Sequence, residues 1–158
     1  MGSTLDILSR LEASEVDFVL VGGMAGVVHG SSQVTEDLDV CAPLSRENVE
    51  RIIRAIGDLR PRWRMLPQNP TIPLDAALLS TYKNLYTITD MGQLDILNEI
   101  TGVGSFEEVK RQSVTLSVVG MTCRVMSLDA LIRAKRAMGR PRDHQAAVEL
   151  EAIRDRRE

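Results

Sequence analysis

The sequence predicts an α/β fold, and three observations carry that prediction. The apolar run Phe18–Val21 ends on the pair Gly22-Gly23, and a short helical stretch and a second apolar strand follow it. Two further pairs of strand-like runs are joined by hairpin signals, at Asp90-Met91-Gly92 and around Gly120. Between and after them lie amphipathic stretches with apolar residues at helical spacing, clearest in Val49, Ile52, Ile53 and Ile56.

Taken in order, residues 4–14 place Leu5, Leu8 and Leu11 on one helical face, with Ser3 or Thr4 as N-cap. A strand over 17–21 leads to a helix over 24–30, a loop from Ser31 to Thr35 and a strand over 36–41. Pro43 and Ser45 introduce the helix that runs to about residue 58. Pro61, Pro67, Pro70 and Pro73 then deny residues 60–75 a regular helix or a central strand. That segment reads as an irregular surface connector or as a flap, ending in a short turn near Ala76–Leu79. Strands follow over 85–89 and 93–97, a short helix over 106–111, and strands over 114–119 and 122–126. Ser127 caps a helix whose inward stripe is Leu128, Leu131, Ile132 and Lys135. Gly139 ends it, and Pro141 opens a last helix to about residue 156 that buries Ala146, Ala147, Leu150 and Ile153.

The 158 residues fit a single domain (1–158), with sheet and helices over 1–126 and a helical motif over 127–158. Aromatics make up 3% of the chain, too few for a stacking platform for single-stranded nucleic acid. The net charge of −3 also argues against a protein wrapped in nucleic acid. Its distribution is uneven: residues 1–100 hold 8 basic and 14 acidic side chains, and residues 101–158 hold 11 and 8. Cys41 and Cys123 have no metal-type spacing and read as reduced core thiols, which fits a cytoplasmic protein. No apolar run suits a secretory leader or a bilayer span, so no membrane partner is expected.

The chemistry gathers in the segment from Phe18 to Val40. Glycines at a strand–helix turn leave bare amides that suit an anion, because the first amides of a helix lack intrahelical partners. Asp37 and Asp39 lie two apart in a strand-like segment, so both carboxylates face one way and Leu38 and Val40 the other. In Leu94-Asp95-Ile96 a third aspartate likewise opposes its apolar neighbours. A phosphate turn beside paired carboxylates suggests metal-assisted chemistry on a nucleotide. Each feature also has an ordinary explanation: a turn, a strand-edge acid, a lysine snorkelling to solvent at Lys135, or an acid complementing the helix dipole at Asp143. His29 reads as a packing or capping residue.

Their order and spacing resemble a known group. Gly22-Gly23-x-Ala25, His29-Gly30, Thr35, Asp37-Leu38-Asp39-Val40 and Gly92-Gln-Leu-Asp-Ile-Leu97 are similar to the AbiEii-type minimal nucleotidyltransferases of the DNA polymerase beta-like superfamily. So are the Ser127-to-Lys135 run and Gly139-Arg-Pro-Arg-Asp143, and the resemblance spans about residues 15–153. It implies a mixed twisted sheet flanked by helices, with C-terminal helices completing a cleft. It further implies transfer of a nucleoside monophosphate from an NTP to an acceptor hydroxyl with two magnesium ions. Asp37 and Asp39 would hold both ions, and Asp95 would hold one and help activate the acceptor. Gly22, Gly23, Thr35, Lys135, Arg140 and Asp143 would surround the nucleotide, with Lys135 also serving catalysis. An inward Lys135 near Arg133, Arg136, Arg140 and Arg142 suits a triphosphate on charge grounds.

Members of the group act as toxins of toxin–antitoxin pairs, and some extend the 3′ end of transfer RNA. A transfer RNA or protein hydroxyl as acceptor and a cognate antitoxin as partner are therefore expectations of the resemblance, with a small-molecule acceptor left open. The chain departs from the group's pattern at Gln33, where an arginine is usual. Loss of a charge-assisted hydrogen bond there costs about 1–3 kcal/mol of nucleotide binding unless Arg140 or Arg142 compensates. The competing expectation is a nucleotide- or partner-binding module that keeps the fold without turnover.

Overall fold

The structure, a computed structural model, describes residues 3–157. Its helices are α1 (Thr4–Ala13), α2 (Gly22–Val28), α3 (Arg46–Ile56), α4 (Ala76–Leu79), α5 (Phe106–Arg111), α6 (Leu128–Met138) and α7 (Pro141–Arg157). Its strands are β1 (Val19–Val21), β2 (Leu38–Cys41), β3 (Arg62–Trp63), β4 (Asn84–Thr89), β5 (Gly92–Leu97), β6 (Glu99–Ile100), β7 (Gly104–Ser105), β8 (Ser113–Val118) and β9 (Met121–Met126). Seven strands form one sheet in the order β3-β4-β5-β2-β1-β9-β8, while β6 and β7 make a separate ribbon. The β2–β5 and β1–β9 pairs are parallel and the other pairs antiparallel, so the α/β prediction holds with a mixed sheet.

The two faces of the sheet do different work because strand side chains alternate. Leu38, Val40, Leu94 and Ile96 are at most 1% exposed and meet the helical layer formed by Ile7, Leu8 and Leu11 of α1 and Val49, Ile52 and Ile56 of α3. Burying each such side chain contributes roughly 1.5–3 kcal/mol, which fixes the register of β2 against β5. Asp39 and Asp95 consequently emerge together on the opposite face. That face is covered in part by α6, whose Leu131 and Lys135 line a cavity with Val21 and Asp39.

Several boundaries differ from the sequence expectation. Helix α2 begins at Gly22, because that glycine takes φ +69° and turns the chain directly into the helix; it ends at Val28. Strand β2 begins only at Leu38, so Asp37 lies in the loop before it. Within the proline-rich segment, Arg62 and Trp63 pair with Ile88 and Thr87 as an edge strand. The prolines remain outside the two paired residues and offer carbonyls: Trp63 N–H donates to Pro70 O at 2.9 Å and Ile72 N–H to Pro61 O at 3.0 Å. Trp63 also stacks on Tyr82 with centroids 5.1 Å apart. The segment is thus a largely irregular connector that also supplies a two-residue edge strand. The β6–β7 ribbon was not anticipated; two-residue strands give too little periodicity to read.

Cys41 and Cys123 are free and buried in the core, as expected. His29 packs under α7, with Nε2 2.9 Å from Met126 O and Arg157 beside Nδ1. Among the described residues no helix is long and apolar enough to cross a membrane.

Asn48 ties these pieces together. Its backbone N–H donates to the N-cap hydroxyl of Ser45, and its side chain, with the residue 2% exposed, bonds Asp17 N, Asp17 O and Pro43 O at 2.8–3.0 Å. Asn48→Ala leaves three polar groups without that partner and should cost about 2–3 kcal/mol. Thermal denaturation should show a Tm lower by roughly 5–10 °C.

Candidate active site

A single transverse line across the sheet carries most of the site. In register, Asp39 of β2 faces Asp95 of β5, and Asp95 faces Tyr86 of β4. Arg64, just beyond β3, extends the line, since its N–H donates to Tyr86 O at 3.0 Å. The Arg64 guanidinium lies 5.6 Å above the Tyr86 ring and forks onto Asp95, with Nη2–Oδ2 at 2.5 Å and Nε–Oδ1 at 3.2 Å. Asp95 is 7% exposed, and this fork satisfies a carboxylate that burial alone would penalise.

Asp39 has no such fork. Burial first, then the neighbouring charges of Asp95 and Asp37, push its carboxyl up to about 6, against the opposing pull of Arg64 and Lys135. Gly22 is part of the same packing. A Cβ there would stand 2.5 Å from Asp39 Oδ2, and φ +69° disfavours any side-chain-bearing residue. Gly23 closes on Thr35 in the same way, with a Cβ position 3.3 Å from Thr35 Oγ1, and that hydroxyl lies 3.5 Å from Asp37 O. The glycine pair therefore seats the turn directly on the aspartate loop. Asp37 itself is exposed at the mouth.

The C-terminal helices bring the cations. Val21, Gly22, Asp39, Lys135 and Arg140 line one cavity of about 160 Å³. Asp143 is 2% exposed and accepts from Arg140 Nε at 2.6 Å and Arg140 N–H at 3.2 Å, with Lys135 Nζ at 3.9 Å. The Arg140 guanidinium beside it holds the Asp143 carboxyl below the usual carboxylate range. Asp143 thus closes the first turn of α7 and orients two cations at the rim.

The wider basic cluster does not gather there. Arg136 pairs with Glu151, and Arg142 lines a different cavity of about 270 Å³ with Ser32, Gln33 and Glu149. Gln33 therefore has Arg142 for a neighbour, next to the Glu149 carboxylate that accepts from Ser31 and Ser32 hydroxyls.

On the other side of the carboxylates opens a groove of about 540 Å³. Met24, Thr35, Asp37, Ile88, Met91 and Gln93 line it, with the first residues of α1 at its edge. Gln93 Nε2 reaches to 3.5 Å from Asp95 Oδ2.

Arg64 is the site residue that sequence reasoning missed. Arg60, Arg62 and Arg64 alternate around Pro61 and Trp63, a period-two signal for an edge strand presenting cations, but the surrounding prolines obscured it.

The donor set suits a hard cation, being all carboxylate oxygen. Burial raises Asp39 most, the charges of Asp95 and Asp37 add to it, and a divalent ion would relieve that added repulsion. Among the described residues, no three His, Cys, Asp or Glu side chains are already gathered as a metal cage, and Asp95 is turned to Arg64 instead.

No protein family matches the chain, and no curated protein matches it. Solved structures do share its fold. One is a Thermotoga maritima protein, TM1012, named provisionally as a nucleotidyltransferase, at 16% identity and TM-score 0.56 over 96% of this chain and 91% of that one. Another is ANT(2″)-Ia, in complex with adenylyl-2″-tobramycin, at 14% identity and TM-score 0.55 over 98% and 97%. The chain therefore has the fold of these nucleotidyltransferases, as the sequence resemblance implied.

The raised Asp39 has a definite sign. Its folded pKa of about 6 exceeds the unfolded value near 3.9, so its contribution to stability is full below about pH 4. That contribution fades as pH rises to 6, by up to roughly 3 kcal/mol. Without divalent cations, the Tm of Asp39→Asn should gain on the parent between pH 4 and 6.5 and then hold a lead of roughly 5–10 °C. Parallel melting curves across that range check this.

Proposed function

We propose that this chain transfers a nucleoside monophosphate from an NTP to an acceptor hydroxyl. The observation that carries the proposal is the Asp39–Asp95 pair standing abreast, with Gly22 closed onto Asp39 and Lys135 across the cavity, in a fold shared with nucleotidyltransferases.

Asp37, Asp39 and Asp95 would hold two magnesium ions. When bound, these would stabilise the attacking and leaving oxygens of an in-line displacement. The chain's own groups do the rest. Backbone amides at Gly22 and Gly23 and the ammonium of Lys135 take the triphosphate, with Arg140 at the rim and Thr35 bracing the turn. Asp95 accepts the proton of the acceptor hydroxyl. The acceptor oxygen bonds to the α-phosphorus, the α–β bridging bond breaks, and pyrophosphate leaves with the bridging oxygen.

The acceptor fits the groove beside Asp37, whose described lining carries two carboxylates, Glu36 and Asp37, and no lysine or arginine. A transfer RNA 3′ end would enter by its terminal nucleoside and leave its phosphates outside, since phosphate contacts need cations. A protein or small-molecule hydroxyl fits on the same terms. A role as toxin with a cognate antitoxin is supported by the sequence resemblance alone.

A specific observation favours the second reading, a nucleotide-binding module without turnover: Asp95 is engaged by Arg64, and Gln33 stands where a cation is usual. One experiment separates the two. Purified protein with magnesium and each α-labelled NTP is given total RNA, lysate protein or small metabolites as acceptors. Transfer of label, reduced on the order of 10²-fold or more in Asp39→Ala, supports the enzyme. Bound nucleotide with no transfer to any acceptor supports the module.

A further inference from the structure

We propose that Arg64 is the resident counter-ion of the carboxylate line: it holds Asp95 while the protein is free of divalent cations and surrenders that carboxylate when one binds. The proposal rests on the metal-dependent transfer put forward above.

Asp39 and Asp95 stand abreast on β2 and β5, and the charge of Asp37, in the loop before β2, acts on Asp39. Lys135 is shared with Asp143 at 3.9 Å, so the cation committed to the line is Arg64. Its fork meets both oxygens of Asp95, including Oδ2 at 2.5 Å, leaving that carboxylate less available to an incoming ion. Two divalent ions beside a fixed guanidinium would place like charges together, and releasing the fork removes that cost.

Arg64 is built to move. The edge strand that delivers it is secured without its side chain, by Trp63 N–Pro70 O, Ile72 N–Pro61 O, Arg64 N–Tyr86 O and the Trp63–Tyr82 stack. Its side chain is 27% exposed, so a path to solvent exists, and the Tyr86 ring beneath the guanidinium helps hold it in the forked position. A structural brace would have its cation indispensable to the strand. Here the backbone already holds the strand and the cation faces the chemistry.

The test compares the parent, Arg64→Gln, Asp95→Asn and the double variant, measuring Mn2+ affinity by calorimetry and Tm with and without MnCl2. Arg64→Gln should be less stable than the parent without cation, bind Mn2+ roughly tenfold tighter, and show the larger cation-induced rise in Tm. In the Asp95→Asn background the same substitution should leave Mn2+ affinity unchanged. Equal affinity in parent and Arg64→Gln, or tighter binding by the parent, overturns the proposal and leaves the metal site standing. Absence of Mn2+ binding in both removes the metal site and the proposal together. Should Arg64→Gln not fold, Tyr86→Leu removes the ring beneath the guanidinium and should tighten Mn2+ binding in the same direction; unchanged affinity there overturns the proposal equally.

Discussion

The parallel register of β2 against β5 is the constraint on which the site depends. It sets Asp39 beside Asp95, and it cannot slip by one residue without sending Leu38, Val40, Leu94 and Ile96 out of the core. Two carboxylates at adjacent strand positions repel, so the hydrophobic face imposes on the polar face an arrangement it would not adopt alone. Asp39 shows the cost of its place there, its carboxyl raised to about 6 by burial first and then by the charges of Asp95 and Asp37. Everything else near the line compensates: Arg64 from the β3 edge, Lys135 from α6, and a glycine at position 22 that leaves Asp39 its space. Core packing supplies the energy that holds an electrostatically unfavourable pair in place.

Such a pair is useful only if its environment can change charge. Cavities open on both sides: a small one between Gly22, Lys135 and Arg140, and a larger, cation-poor groove past Asp37 and Gln93. The asymmetry supports the proposed transfer from a polyanionic NTP to an uncharged acceptor hydroxyl. Asp143 contributes from a distance, since its buried carboxylate fixes Arg140 and draws Lys135 toward the first cavity. The helical motif at 127–158 is therefore more than a cover for the sheet.

Much of this was legible in the sequence, and the rest was hidden for identifiable reasons. Alternation around Leu38-Asp39-Val40 and Leu94-Asp95-Ile96 placed each aspartate opposite its neighbours because large aliphatic residues flank it on both sides. The stripe of α3 and the caps at Ser45, Ser127 and Gly139 were equally plain. Arg64 was not, since its strand has only two paired residues and lies among prolines. Nor could sequence show that Arg136 turns to Glu151 and Arg142 to the Gln33 cavity: four arginines close in sequence look like one patch, whereas a helix break at Gly139 distributes them over different faces. Asp37 lies just outside β2 for a similar reason, as the strand begins only where pairing with β1 and β5 permits.

Gln33 then takes on a different meaning. Considered alone, it leaves the loop that leads into Asp37 without a cation at that position. In the folded protein that loop is fastened to α7 by Glu149, whose oxygens accept from the hydroxyls of Ser31 at 2.7 Å and Ser32 at 2.5 Å, with Arg142 lining the same cavity. A loop arginine would enter a space where a positive side chain already stands, and α7 holds that side chain on a rigid element. Positive charge near the aspartates thus comes from three sides, from Arg64 just past β3, Lys135 of α6 and Arg140 at the turn into α7, while the loop between the glycine pair and Asp37 remains neutral at position 33. Arg64, forked onto Asp95, is the cation in direct contact with the carboxylate line.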